Sequence, residues 1–135
     1  MNEVVELLRE QNQDRFQSIE LPDEDDLVLI QEELLLHLPP DLKDFLLHVS
    51  DVAYGSLQPV TVSDPYSHTH LPEVTSIAWE QGLARDLIPI CQSNDGYFFI
   101  AQEGYIGAWL HAQGVDEDQH WDSIWDWCTE VWLQS

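Results

Sequence analysis

The stretch that decides the fold is residues 87–110, LIPICQSNDGYFFIAQEGYIGAWL. It contains three apolar runs, 87–92, 97–101 and 105–110, and the turns between them carry Asp-Gly or Glu-Gly. Apolar runs of this length joined by such turns are typical of β-hairpins, so we predict three consecutive strands. The second run is apolar on both faces, which predicts a central strand. Pro89 predicts an edge or a bulge for the first run, because proline has no N–H to donate.

Helices are predicted on both sides of this stretch. Apolar residues at helical spacing, with proline and glycine at the ends, predict helices over residues 4–17, from Asp23 to about Leu36, from about Pro40 to Val49, and from Pro72 to about Gly82. The second of these helices is apolar almost all round, so we expect it to be buried on more than one side. Residues 57–62 are predicted to be extended, with an interruption at Pro59.

The clearest helical pattern runs from Trp121 onward. One narrow face of this predicted helix is apolar and consists of Ile124, Trp125, Cys128, Val131 and Trp132. The opposite face carries Asp122, Asp126 and Glu130 at i, i+4 and i+8, and like charges at this spacing are unfavourable. The helix must therefore form because its aromatic face packs into the core. Trp127 flanks that face and is a candidate for self-association, although the sequence does not determine an oligomeric state.

Acidic residues are distributed along the whole sequence. Its 26 acidic and 4 basic residues give a formal net charge of −22. Residues 1–51 carry fourteen acids and three bases, and residues 52–135 carry twelve and one, so each part has a charge of −11. Acids spread through apolar sequence predict the surface of a folded domain. Such a surface repels nucleic acid and anionic membranes and attracts basic proteins, although a general role in solubility remains the alternative.

Length and composition predict one cytoplasmic domain over residues 1–135. The chain is 44% apolar and contains six tryptophans, as expected of a globular protein. Its first residues lack the basic and apolar stretches of a secretory signal, and no apolar run reaches the ~18 residues of a membrane helix. Cys91 and Cys128 are too few for a disulfide framework, and their apolar surroundings predict that both are buried.

Few residues suggest catalysis or metal binding. Asp64, His68 and His70 could form a metal pocket, but no third strong ligand stands at a fixed spacing. Cys91 could meet a histidine in space, although its apolar neighbours favour the core. We interpret residues 114–118 as an acidic loop that lacks the ligand pattern of a calcium site. We therefore predict no enzymatic activity, no metal and no cofactor.

Four sequence pieces, in this order, resemble the SUKH superfamily. They are Leu38-Pro39-x-Asp41-Leu42-x-x-Phe45-Leu46, Tyr54-Gly55, Leu87-Ile88-Pro89-Ile90 with Asp95-Gly96, and Trp121-Asp122-Ser123-Ile124-x-x-Trp127. The resemblance covers about residues 21–133. It departs from the family pattern at Ser50-Asp51, where an asparagine-glycine or glycine pair is usual, and late in the second helix, where leucine replaces a glycine.

The superfamily includes bacterial immunity proteins that guard against contact-delivered toxins and fungal regulators of cell-wall assembly. The resemblance therefore implies an α+β fold, in which an antiparallel β-sheet packs against N-terminal helices and a C-terminal Trp-rich helix. It also implies a domain that binds proteins and has no catalytic motif. The leading hypothesis is an immunity protein that neutralises a basic toxin domain.

Two other functions remain open, namely a regulatory interaction module without a toxin partner and a small hydrolase with a His/Asp metal site or a Cys/His site. For a protein-binding function, exposed aromatic residues supply anchoring area and acids supply steering. The candidate partner-binding residues are Tyr54, Asp64, Tyr66, Asp95, Asp116, Glu117 and Asp118.

Overall fold

The three predicted strands belong to a four-stranded antiparallel sheet, in which each strand pairs with the next one along the chain. The computed structural model describes residues 3–11, 21–52, 54–62 and 66–135. The strands are β1 (Ile88–Gln92), β2 (Gly96–Ile100), β3 (Ile106–Leu110) and β4 (Gly114–Trp121). The helices are α1 (Glu3–Glu10), α2 (Glu24–Leu34), α3 (Pro40–Val49), α4 (Leu71–Gln81) and α5 (Ile124–Glu130), followed by a short 3-10 turn over Trp132–Gln134. The predicted α+β fold is thus confirmed.

The predictions for the first two strands hold. β2 lies between β1 and β3, as its two apolar faces require. β1 is an edge strand, and its register with β2 shifts between Pro89 and Cys91. The predicted extended segment reaches this edge only briefly, because Pro59 forms an isolated bridge with Cys91 and the N–H of Val60 donates to the carbonyl of Ile90 at 2.8 Å.

β4 corrects the sequence interpretation of residues 114–118 as a loop. Gly114, with φ of 80°, follows the turn after β3, and the chain then pairs with β3. Ala108 pairs with Asp116, whereas the adjacent Gly107 pairs with His120, so residues 117–119 have no counterpart on β3. The segment shows no apolar run because it forms the outer edge of the sheet, where polar side chains can remain in water.

Helices cover both faces of the sheet. Neighbouring side chains on a strand point to opposite faces. Phe98 contacts Trp127 of α5, with ring centroids 5.5 Å apart, whereas the hydroxyl of Tyr97 donates to Gln81 of α4 at 3.0 Å. α1 and α3 pack against α5 from outside, and α4 ends at Gly82, as predicted. The sheet is therefore the middle layer of the domain.

The aromatic core extends further round α5 than its predicted face. Phe45 of α3 lies 5.9 Å from Trp132 and 6.2 Å from Trp125 between ring centroids. Trp127 is fully buried and contacts Phe98 and Trp132, so the idea that it serves self-association is wrong. The reason is that α5 lies between the sheet and two helices, which bury more of its circumference than a single apolar stripe.

α2 is less buried than expected. Its start is fixed by a capping box, in which Asp23 and Asp26 each accept from the backbone N–H of the other. Leu27, Ile30 and Leu34 face the core, but Val28 is 48% and Leu29 62% exposed, which contradicts burial on more than one side. α3 and α4 lie close to their predicted bounds, and the predicted continuation of α1 over residues 12–17 lies outside the described residues.

Candidate functional site

The two histidines of the suggested metal site, His68 and His70, have different surroundings. His68 Nε2 is hydrogen-bonded to Gln58 Oε1, while His70 Nδ1 is buried and has no hydrogen-bond partner among the described residues. Asp64 lies outside those residues. Within the described ranges, no three side chains of His, Cys, Asp and Glu approach one another in a way that could hold a metal ion. The geometry gives the metal hypothesis no support.

Both cysteines are buried, as predicted, and both are free thiols. Burial raises the pKa of the Cys91 thiol to about 12, with a small opposing effect from a backbone hydrogen bond of Gln58. Burial also raises the pKa of the Cys128 thiol well above its usual value, and the negative charge of a Cys91 thiolate would raise it further. Because the thiolate is the reactive form, neither side chain is suited to be a nucleophile near neutral pH.

A groove of about 560 Å³ opens beside the edge of β1. It forms where the extended segment leaves β1 and the β1–β2 turn begins. Its side chains include no Asp, Glu, Lys or Arg; the lining residues are Ser56, Leu57, Gln58, Val60, His68, Thr69, Val74, Gln92, Ser93, Asn94, Phe98, Val131 and Ser135. The groove combines amide, hydroxyl and apolar groups, and its volume would admit a loop or a few side chains of a partner.

Three predicted binding residues, Tyr54, Tyr66 and Asp95, are within two residues in sequence of residues that line the groove. Asp95 is exposed and directly follows Asn94, and Tyr66 is 96% exposed and precedes His68 by two residues. Tyr54 serves the core, because its hydroxyl donates to the carbonyl of Leu133 at 3.1 Å and its own carbonyl accepts from Trp132 Nε1 at 3.1 Å. Asp64 cannot be placed, since it lies outside the described residues.

The remaining predicted residues lie on β4, at the other edge of the sheet. Glu117 and Asp118 are exposed in the unpaired part of that strand. Asp116 is half-buried and holds the local backbone, because Oδ1 accepts from the N–H of Asp118 at 3.1 Å and Oδ2 accepts from Gln119 Nε2 at 2.8 Å. The structure therefore places Asp116, Glu117 and Asp118 on the edge of the sheet opposite the groove.

The carboxylates of β4 continue onto α5. Asp126 and Glu130 are exposed on α5, as predicted, whereas Asp122 is exposed directly before the helix, because β4 runs to Trp121 and the N-cap of α5 is Ser123. We call these three residues together with Asp116, Glu117 and Asp118 the acidic edge. Residues 86–135 contain no Lys or Arg that could neutralise these carboxylates, and His120 Nε2 lies 3.4 Å from Asp122 Oδ1. A surface with this charge suits a basic protein and has no groups with which to bind phosphate.

Comparison with known proteins identifies the family. A family model described as SUKH_5, SMI1-KNR4 cell-wall, matches residues 1–133. The chain belongs to this family. A protein from Pseudomonas syringae pv. tomato with a known crystal structure is similar to this SUKH protein over 100% of both chains, with 50% sequence identity and a TM-score of 0.95. No curated protein matches the chain significantly.

Membership in the SUKH family bears on the kind of function. Proteins of this family are protein-interaction modules and generally lack enzymatic activity. None of the helices in the described part of this SUKH chain is long and apolar enough to cross a membrane. The described geometry agrees with an interaction module, since it consists of exposed carboxylates and a neutral groove.

Sequence reasoning missed the groove. Its polar groups come from three separated segments, around Gln58, His68 and Gln92, which meet only after the extended segment pairs with β1. No spacing rule links these positions, and single serines, glutamines and asparagines in turns are common. The sequence shows that the outer positions of α2 are apolar, but this pattern predicted that they would be buried, whereas Val28 and Leu29 are exposed.

Proposed function

We propose that the protein is an immunity protein of the cytoplasm, which binds a basic toxin domain and blocks its active site or substrate groove. The observation that carries this proposal is the acidic edge, whose carboxylates lie on β4, directly before α5 and on α5, within residues 86–135 that contain no Lys or Arg. Family membership supports the protein-binding part of the proposal.

Electrostatics explains how such a surface would act. A toxin domain that acts on a polyanion needs clustered Lys and Arg, and the acidic edge offers carboxylates that can pair with them. A field of this kind can raise the association rate by about 10- to 1000-fold. Rapid capture would matter for an inhibitor that must act before the toxin reaches its substrate.

Two structural features hold the β4 carboxylates of the acidic edge in fixed positions. The hydrogen bonds of Asp116 to Asp118 and Gln119 hold the unpaired part of β4, so neighbouring carboxylates are presented on an ordered backbone. β4 also pairs with β3 along both ends of its length, which fixes that part to the sheet. Binding to a held surface loses less conformational entropy than binding to a flexible acidic segment.

The neutral groove gives a second, uncharged contact. Asp95 and Tyr66 are close in sequence to residues that line the groove, and we propose that the aromatic ring supplies anchoring area and the acid supplies a pair for a cation. A partner loop seated between them would use the amide and hydroxyl groups for specificity. The groove lies at the opposite edge of the sheet from β4, so the two contacts need not be made by one partner element.

Affinity capture from the source cell's lysate, followed by mass spectrometry, tests the proposal. The bound proteins are washed at low salt and at about 1 M salt, where the Debye length falls to about 3 Å. We expect one dominant basic partner that carries a toxin domain and stays bound at high salt. A diffuse set of basic proteins that washes off would contradict the proposal, and so would a dominant partner without toxic activity.

Stopped-flow association with the captured partner tests the surface. The variant Asp116→Asn/Glu117→Gln/Asp118→Asn should associate at least about tenfold more slowly at low salt, because steering depends on local charge. The control Glu73→Gln/Asp86→Asn/Glu103→Gln changes the net charge equally at exposed positions outside the acidic edge. Equal rates for the two variants would remove the acidic edge from the proposal.

The second candidate is a regulatory interaction module without a toxin partner. The groove favours it, because neutral amide and hydroxyl groups would select a partner by shape and hydrogen bonding and not by charge. Capture of a single non-toxic partner whose association rate ignores ionic strength would support this candidate. In that case the variants Gln58→Ala and Gln92→Ala should weaken binding more than changes in the acidic edge.

A further inference from the structure

The outer surface of α2 exposes large apolar side chains in a way that the fold does not require. Val28 is 48%, Leu29 62% and Leu35 88% exposed. Single exposed apolar residues are ordinary on protein surfaces. Here three occur within eight residues on one short helix and its C-cap, whose other side packs into the core through Leu27, Ile30 and Leu34.

Carboxylates surround these side chains at helical spacing. Residues three and four apart are neighbours on a helix. Val28 therefore has Glu24, Asp25 and Glu32 as neighbours, and Leu29 has Asp25, Asp26, Glu32 and Glu33; all five acids are exposed. We call these acids together with Val28, Leu29 and Leu35 the α2 outer surface. Apolar contacts and negative charges alternate along it.

Leu35 provides an independent observation. It is the C-cap of α2, with φ of 58° and ψ of 34°, and it is the one non-glycine residue with positive φ in the described part of the chain. Glycine is favoured in this left-handed conformation, and a leucine there is strained. Because the side chain is exposed, packing within the domain does not repay that strain. Leu35 therefore adds an 88% exposed apolar side chain at the end of the surface that Val28 and Leu29 form.

We propose that the α2 outer surface binds a cationic amphipathic helix of a partner protein. Val28 and Leu29 on α2 and Leu35 at its C-cap extend over about two helical turns, so a partner helix with leucines on one face can contact them. Lys or Arg beside those leucines would face the five carboxylates. A second copy of this chain would bring the same acids together and would add to the repulsion between two molecules of charge −22.

This inference goes beyond the proposed toxin binding and uses another surface. α2 packs against α4, whereas β4 packs against β3 and α5. The α2 outer surface could therefore bind an element of the same partner or of a different protein. Its three exposed apolar side chains distinguish it from the acidic edge, which is defined by six carboxylates.

Two synthetic peptides test the proposal on the full chain. The first is an amphipathic 14-residue helix with leucine at the a and d positions and lysine elsewhere. The second has the same charge, with serine in place of leucine. At about 150 mM salt, fluorescence anisotropy should show at least about tenfold tighter binding of the Leu/Lys peptide, because only that peptide can bury the apolar side chains of α2.

Variants then assign the preference to α2. Val28→Ser/Leu29→Ser should remove it, and circular dichroism should show an unchanged fold, since both side chains are exposed. Leu35→Gly should lower the preference while raising the Tm, and a purely structural role of Leu35 could not produce these opposite changes. Val115→Ser is the matched control, because Val115 is 50% exposed beside the acids of β4 and should leave the preference intact.

Three results would overturn the inference. They are equal affinity for the two peptides, an equal loss of preference in Val115→Ser, and self-association of the wild-type chain that Val28→Ser/Leu29→Ser abolishes in sedimentation equilibrium. The variant of the acidic edge separates this inference from the proposed function. It should slow toxin association and keep the peptide preference, so either proposal can fail while the other stands.

Discussion

Arg9 and Asp51 stand 42 residues apart in the chain and form a two-pronged ion pair. Arg9 Nη1 lies 2.6 Å from Asp51 Oδ1, and Nη2 lies 3.3 Å from Oδ2. Nη1 also donates to the carbonyl of His48 at 3.1 Å. The hydrogen bond with Asp51 raises the pKa of Arg9, and the pair ties α1 to the residues after α3.

The first prediction concerns the free energy of this pair. Because the two side chains are 43% and 20% exposed, water screens their attraction. A double-mutant cycle with Arg9→Gln and Asp51→Asn should give a coupling energy of about 0.5–1 kcal/mol. Urea unfolding measures it, and the coupling should shrink at 1 M salt. A coupling near zero at low salt would show that the His48 carbonyl alone positions Arg9.

The second prediction concerns the contact of Gly107 with Phe99 on adjacent strands. A Cβ at Gly107 would lie 2.5 Å from Cζ of the Phe99 ring. Gly107→Ala should therefore destabilise the domain by about 1–3 kcal/mol, and the double variant Gly107→Ala/Phe99→Leu should recover part of that loss. Thermal unfolding of the three variants measures both effects.

Gly96 provides the control for this prediction. A Cβ there would lie 1.9 Å from the carbonyl oxygen of Trp109, which is backbone. No smaller side chain can relieve that contact, so Gly96→Ala should not be rescued by Phe99→Leu. Rescue at both positions would mean that the leucine variant acts by loosening the whole sheet.

The third prediction compares two buried tryptophans. Trp132 Nε1 donates to the carbonyl of Tyr54 at 3.1 Å, whereas Trp127 Nε1 is buried without a partner among the described residues. Both changes to phenylalanine remove the same atoms, but only Trp132→Phe takes a hydrogen bond from Tyr54. Trp132→Phe should therefore be more destabilising, by about 1 kcal/mol in denaturant unfolding. The reverse order would indicate that Trp127 has a partner such as an internal water.

The fourth prediction concerns alkaline pH. Burial raises the pKa of Cys91 from 9.0 to about 12 and raises that of Cys128 as well. Above pH 9 the unfolded chain loses these protons while the folded domain keeps them, so the free energy of unfolding falls as pH rises. The slope is about 1.4 kcal/mol per pH unit for each thiol.

Urea unfolding between pH 8 and 10 checks this sign with the variant Cys91→Ala/Cys128→Ala. Burial also raises the pKa of Tyr97, which adds a smaller loss that the variant retains. We expect the variant to show a flatter decline than the wild type. Identical slopes would mean that the thiols are reached by solvent in the folded state.

Local sequence patterns predicted most of the elements because apolar residues repeat with a clear period in them. β2 and α3 show this best, since every apolar position of α3 that the pattern placed inward is buried. β4 was missed because an edge strand leaves its side chains in water and carries no apolar alternation. The burial of Trp127 depends on three elements meeting around α5, and no single segment contains that information.

The candidate site was less predictable than the fold. Charge indicated acidic surfaces, and the structure divides them between the edge of β4, α5 and α2. The groove arises from the pairing of Pro59 with Cys91, which are distant in sequence. The exposure of Leu29 and Leu35 also could not be predicted from the sequence. An apolar residue in a helical pattern predicts burial, and the sequence does not show whether another element covers it.

The unpaired residues 117–119 of β4 also bear on aggregation. An exposed edge strand is a template on which a second molecule can add its own strand and start a fibril. In this protein residues 117–119 of the outer strand are not paired with β3, and the side chains of Glu117 and Asp118 are exposed there. We therefore expect the segment that we assign to partner capture also to oppose strand addition by a second molecule. Variants that neutralise it are expected to need cooler expression and lower storage concentrations.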